Sequence, residues 1–241
     1  MASTSRNNSR RGNARNTQSQ TNQTQFQVDE TPVQIDNHVR TLLNFILSHS
    51  ANKVPIKYTD LTAAIDNRNE MLKRLPLVTQ LLEETYGIKL VQLEGAPKRC
   101  ICIAETPVVS THELTPSQRQ HQTLLYIVLT YIFLRGNRIE DEKLYGMLAM
   151  LDIDVHEEHG YFGDDVSQII NETFVNQQYL KRERSQLSPY DDPKNYFSWG
   201  ARAKCEITYQ EIVKFASKLF NQDVSFFQQQ LIMAEGTENS E

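Results

Sequence analysis

The side chains best placed for a chemical task are basic: Lys181, Arg182 and Arg184, followed by Arg202 and Lys204. Such a group can neutralise phosphates, which gives salt-dependent and largely sequence-independent nucleic-acid binding. Glu183, Asp191 and Asp192 dilute the group, so a solvated strand face is the competing reading. Between the two basic segments stand Phe197 and Trp199. They lie two apart, so in an extended strand both rings face one side, and Gly200 permits the turn that ends it. Trp199 is the single tryptophan and reads as structural, its large ring suiting burial better than base stacking.

Other chemistries are weakly represented. His156 and His159 flank two glutamates, but no third ligand stands at a telling distance and the order His-Glu-x-x-His is absent, so no metal is expected. Cys100 and Cys102 alternate with isoleucines and read as small apolar residues on one side of a strand. The three cysteines lack metal-ligand spacing and fit a reducing compartment. There is no Gly-rich phosphate loop and no nucleophile elbow. The reading is a non-catalytic protein without cofactors.

The 241 residues are 39% hydrophobic, enough for one large core or two small ones. The net charge of −5 excludes a uniformly basic nucleic-acid binder. Residues 1–31 carry four arginines against Asp29 and Glu30, leaving −7 for the remainder. They are rich in Ser, Asn, Gln and Thr, a composition that cannot offset the entropy of ordering, so a disordered polar tail is expected. No run of about 18 apolar residues occurs, and no membrane span is expected.

The elements that must position these residues follow from periodicity. Val39, Leu42, Leu43, Ile46 and Leu47 recur at helical spacing behind Asp36, a capping residue. A second helix is expected from Thr59 and a third from about Pro76 to Gly87. Ile88–Leu93 and Arg99–Ile103 form a hairpin. After a Pro- and Ser/Thr-containing linker, three more helices are expected: about 118–135, one from Glu140, and one over 164–175. A second hairpin runs from Tyr179 to Trp199, and two helices close the chain. The fold class is mainly α with small β-hairpins (α+β), arranged as tandem winged helices. The boundaries are a tail over 1–31, winged helix A over 32–106, a linker over 107–117, winged helix B over 118–222, and a C-terminal helix and tail over 223–241.

Several segments resemble the MAGE homology domain family: Leu43-Asn44-Phe45-Ile46-Leu47, Tyr86-Gly87-Ile88-Lys89-Leu90, Ile132-Phe133-Leu134-Arg135-Gly136-Asn137-Arg138, and Tyr196-Phe197-Ser198-Trp199-Gly200-Ala201-Arg202-Ala203. The likeness covers about residues 36–220. It implies a tandem winged-helix domain that binds and enhances RING-type ubiquitin ligases. The family's single-copy eukaryotic form is a subunit of the DNA-repair complex built on the fifth and sixth structural-maintenance-of-chromosomes proteins (the SMC five–six complex). There it pairs with a RING subunit and a kleisin subunit and supports DNA binding, which implies a nuclear, chromatin-associated location.

The resemblance places the RING contact on the first helix, with Ile46 and Leu47 matching the family's leucine pair after the aromatic Phe45, and Leu43 beside them. For the kleisin subunit, Leu125, Leu129 and Phe133 offer a helix-receiving groove, although the same residues are natural core. The expected DNA contacts are Lys181, Arg182, Arg184, Arg202 and Lys204. The alternative is a sequence-specific regulator reading DNA with helix 164–175. Asp164, Asp165 and Glu172 oppose it by bringing negative charge to the phosphates.

Overall fold

The computed structural model describes residues 36–105, 114–163, 166–185 and 192–238, all within one compact unit that contains two winged-helix lobes. The expected tail, the middle of the linker, and the acidic residues Asp164, Asp165 and Asp191 lie outside the described residues.

Lobe A opens with α1 (Asn37–Ser50), where the Asp36 carboxylate accepts from the Val39 amide at 2.8 Å. That bond, with Arg74 alongside, holds the Asp36 carboxyl below its ordinary range. Strand β1 (Ile56–Lys57), α2 (Tyr58–Ile65) and α3 (Arg68–Tyr86) follow. The third helix begins well before Pro76, at Arg68, because the Asn67 side chain accepts from the amides of Asn69 and Glu70 and caps it there. Pro76 sits in the helix interior, where a proline removes one backbone donor and its ring crowds the carbonyl four residues earlier. Gly87, with φ +60°, ends α3. The chain then forms β2 (Ile88–Leu93) and β3 (Arg99–Ala104), giving an antiparallel sheet in the order β1-β3-β2.

Lobe B repeats this order. It consists of α4 (Pro116–Leu134), β4 (Arg138–Glu140), α5 (Asp141–Met150), α6 over residues 166–176, β5 (Leu180–Ser185) and β6 (Lys194–Trp199), with the sheet order β4-β6-β5. A π-helical turn, Ile169–Thr173, forms the middle of α6. Helix α4 starts slightly earlier than its apolar pattern because Thr115 and Gln118 form a reciprocal capping box. Beyond the sheet come α7 (Ala201–Glu206), α8 (Tyr209–Phe220), a 3₁₀ turn (Val224–Phe227) and α9 (Gln228–Glu238). The short strands β1 and β4 occupy equivalent places in the two lobes and complete each as a three-stranded winged helix. No helix among the described residues is long and apolar enough to cross a membrane.

Each lobe has its own core. Lobe A buries Val39, Leu42, Ile46, Leu61, Met71, Val78 and Leu82 with Cys100 and Cys102. Burial pushes the Cys100 thiol up to about 12, the behaviour of an inert core thiol. Lobe B packs Leu124, Val128, Ile132, Ile170, Phe174, Phe197 and Trp199 together. Phe197 and Trp199 do share the inward face of β6, and the indole Nε1 donates to the Leu129 carbonyl at 3.1 Å. A third apolar seam joins the lobes. Ile101 and Ile103, on the opposite face of β3 from the two cysteines, meet Leu93 and Ala201 of α7, so both faces of β3 are covered.

Gly200 serves a different purpose from the expected turn. Its φ is −82°, open to any residue, yet an added Cβ would stand 2.3 Å from the Gln178 carbonyl oxygen. The glycine is required by close approach of two backbones.

Candidate partner and nucleic-acid surfaces

The α1 residues divide between core and surface. Val39, Leu42 and Ile46 point into lobe A, and Ile46 is 0% exposed. A helix turns about 100° per residue, so Ile46 falls at the centre of the stripe while Phe45 and Leu47 border it on opposite sides. Both are half-buried. The Phe45 ring stacks on His49 with centroids 4.1 Å apart, and Leu43 is buried at the stripe's edge. Ile46 and Leu43 are therefore corrected from contact residues to core, whereas Phe45 and Leu47 keep an accessible side.

The groove expected on α4 is also core. Leu125, Leu129 and Phe133 are all buried, and the Phe133 ring stacks on Tyr209 at 5.6 Å. They face inward, in one core with Ile212, Val213 and Ala216 of α8. The large apolar side chains that lobe B does expose include Leu219, Phe220, Phe226, Ile232 and Met233, near the end of α8 and on the segment after it.

Strand alternation splits the basic wing. In the β5–β6 register Lys181 pairs with Ser198, Arg182 with Phe197 and Arg184 with Asn195. Lys181 thus lies on the outward face of the sheet, and Arg182 and Arg184 on the face that buried Leu180, Phe197 and Trp199 turn to the core, both arginines being exposed beyond Leu180. Lys181 Nζ is 2.7 Å from Glu183, whose carboxyl it holds below the usual range. Arg138 lies over the Tyr196 ring at 4.1 Å and 4.0 Å from the same glutamate. On that face Lys181, Arg138 and Lys204 line a cleft of about 760 Å³ between the lobes, opposite Gln92 and Arg99 of lobe A.

Arg202 is not a phosphate ligand. It is 1% exposed, and its guanidinium donates to four oxygens: Gln177 O at 2.8 Å, Cys102 O at 2.7 Å, Lys53 O at 2.9 Å and Glu206 Oε1 at 2.8 Å. Tyr179 donates to Glu206 Oε2 at 2.5 Å and accepts from Lys53 Nζ at 2.6 Å. Burial and the neighbouring Glu206 carboxylate push the Tyr179 hydroxyl far above its ordinary range, so it stays a donor.

Among the described residues no group of three or more His, Cys, Asp or Glu side chains is arranged to hold a metal. His159 Nδ1 instead accepts from the amides of Tyr161 and Phe162, both at 3.1 Å. Helix α6 offers little to a major groove. Its exposed positions are Gln168, Glu172 and Asn176, while Val166, Ile169, Ile170 and Phe174 are buried.

The family model described as the MAGE homology domain matches residues 96–210, from the β2–β3 turn into the first turn of α8. A Mus musculus protein described as non-structural maintenance of chromosomes element 3 homolog is 34% identical over 198 residues, 80% of this chain and 70% of its own. The chain belongs to the MAGE homology family. The Homo sapiens protein of the same description is 33% identical, and this MAGE chain covers 63% of its length. Homo sapiens MAGE-like protein 2 is 30% identical over 207 residues but only 16% covered. Among solved structures, a chain of an Nse1-Nse3-Nse4 complex superimposes with a TM-score of 0.69 at 25% identity, covering 82% of the MAGE chain and 96% of that chain. The mainly helical, tandem winged-helix architecture is thus common to the family and to this protein.

Proposed function

We propose that this MAGE homology protein is a non-catalytic scaffold subunit of an SMC five–six complex, acting in the nucleus in DNA repair and genome maintenance. It would hold a RING-type ubiquitin ligase subunit through lobe A and a kleisin subunit through lobe B. The observation that carries the reading is the fold and sequence match to a chain found in an Nse1-Nse3-Nse4 complex, nearly all of which this chain covers. The RING contact is assigned to the accessible edges of α1, chiefly Leu47, with ligase enhancement as its consequence. Co-expression with RING and kleisin partners should yield a stoichiometric three-protein complex. Leu47→Glu should release the RING partner while the kleisin partner stays bound and lobe A stays folded. Unchanged RING retention would remove α1 as the contact, and Phe45→Ala in parallel separates one edge of the helix from the other.

DNA contact is assigned to the exposed tip of the wing, Arg182 and Arg184, which continue the core-side face of β5 beyond Leu180, with no sequence preference. Each cation on a phosphate steepens the salt dependence by nearly one, so Arg182→Glu/Arg184→Glu should weaken random-duplex binding and flatten the logarithmic salt slope by about 2. Lys181→Glu should have the smaller effect, because Lys181 is already engaged with Glu183. An unchanged slope in the double variant, measured by fluorescence anisotropy, would refute the wing assignment.

A further inference from the structure

Among the described residues the two lobes meet at an apolar seam of Leu93, Ile101 and Ile103 against Ala201. Beside it lies a polar junction in which Arg202 of lobe B donates to two main-chain carbonyls of lobe A, Cys102 at 2.7 Å and Lys53 at 2.9 Å. The Cys102 carbonyl lies on β3 beyond the reach of β1, which pairs only with Arg99 and Cys100. The Lys53 carbonyl sits in the turn after α1. Lys53 also returns a bond, its ammonium donating to Tyr179 and lying 3.7 Å from Glu206.

We infer that Arg202, with Glu206, Tyr179 and Lys53, is a latch that holds the two winged helices in one mutual arrangement and, once released, lets them part. The guanidinium is buried, so each N–H that loses its acceptor carries a desolvation cost. Small sliding of lobe A therefore meets a steep penalty, because it strands these donors before water can reach them. Full separation does not, because it admits water to the whole group. A junction of this kind has two favourable states, bonded or hydrated, and little between them. The apolar seam alone would permit graded motion.

The latch is placed where its state matters. Lys53, Tyr179, Arg202 and Glu206 all line one interlobe cleft of about 700 Å³, and Gly200 and Ala201, which lead into α7, line the other. Release therefore changes the separation of both pairs of walls at once. This inference concerns the intact chain alone and does not rest on the identity of any partner.

The test is a distance measurement by pulsed electron paramagnetic resonance on the full chain. Spin labels are attached at Glu84→Cys on α3 and Lys218→Cys on α8, both exposed positions, in a Cys205→Ser background; Cys100 and Cys102 are buried. The parent should give one narrow distribution. Arg202→Met keeps the volume and removes every donor, and should raise the separated population about tenfold or more, because several charge-assisted bonds are lost together. Lys53→Met removes only the partly exposed ammonium and should shift the population in the same direction by less. It also serves as the readout if Arg202→Met does not fold. Distributions identical to the parent in every variant that folds would overturn the latch and assign interlobe order to the apolar seam.

Discussion

Gly200→Ala is expected to destabilise the protein by about 4 kcal/mol or more, an unusually large effect for one methyl group. The new Cβ would meet the Gln178 carbonyl oxygen at 2.3 Å, the Gln178 carbonyl carbon at 2.7 Å and the Tyr179 carbonyl carbon at 3.0 Å. All three are backbone atoms, so no rotamer change can relieve the overlap. The contact also cannot open without loss. Gly200 N donates to Tyr179 O at 2.8 Å, and the Arg202 amide donates to the same Gln178 oxygen at 2.9 Å. Separating the two strands of backbone would break both bonds, displace the first turn of α7, and move Arg202 away from its acceptors. Gln178 itself has φ +65°, so its own segment has little conformational room to retreat. Gly146→Ala is the matched control. Gly146 lies in α5 with nothing within 4 Å of an added Cβ, and the substitution should stabilise by about 0.5–1 kcal/mol through helix propensity. Urea midpoints of the two variants should move in opposite directions. Equal midpoints would mean that the strand ends do not approach as described.

The way Gly200 was legible in the sequence, and the way it was not, applies to the site as a whole. Alternation in β6 correctly put Phe197 and Trp199 on one face, because a period of two is a local property. In the sequence Gly200 reads as a turn residue, because glycine's local meaning is dihedral freedom. Its actual role depends on Gln178, which sequence spacing cannot bring to it. Arg202 looks like a phosphate ligand for a similar reason: charged residues are usually exposed, and its lobe A acceptors are main-chain carbonyls, which leave no complementary side chain in the sequence. The one local hint was its position between Ala201 and Ala203, four residues before Glu206. Similarly, the helix-helix-helix-hairpin order was visible in both lobes, whereas β1 and β4 are too short to register as strands until their partners are known. Lys181, Arg182 and Arg184 divide between two faces because side chains alternate along β5.

Helix α1 carries the second large effect. Ile46→Ala is expected to cost about 2–5 kcal/mol, the range for truncating a fully enclosed aliphatic side chain. Ile46 is 0% exposed among Val39, Leu42, Leu61, Met71 and Leu82. The angular argument was available in the sequence, since residues 39, 42, 43 and 46 trace one stripe whose centre includes Ile46 and whose margin is Leu47. Loss of a RING partner on Ile46→Ala would therefore report a loosened lobe A and not a lost contact. Ile46→Val separates the two, because it removes one methylene, costs about 0.5–1.5 kcal/mol and leaves the surface of α1 untouched. It should lower the urea midpoint modestly and keep the partner fully bound, whereas Leu47→Glu should do the reverse. If Ile46→Val instead released the partner with its midpoint unchanged, Ile46 would have to be reachable from outside, and the assignment of α1's inner stripe to the core would fail.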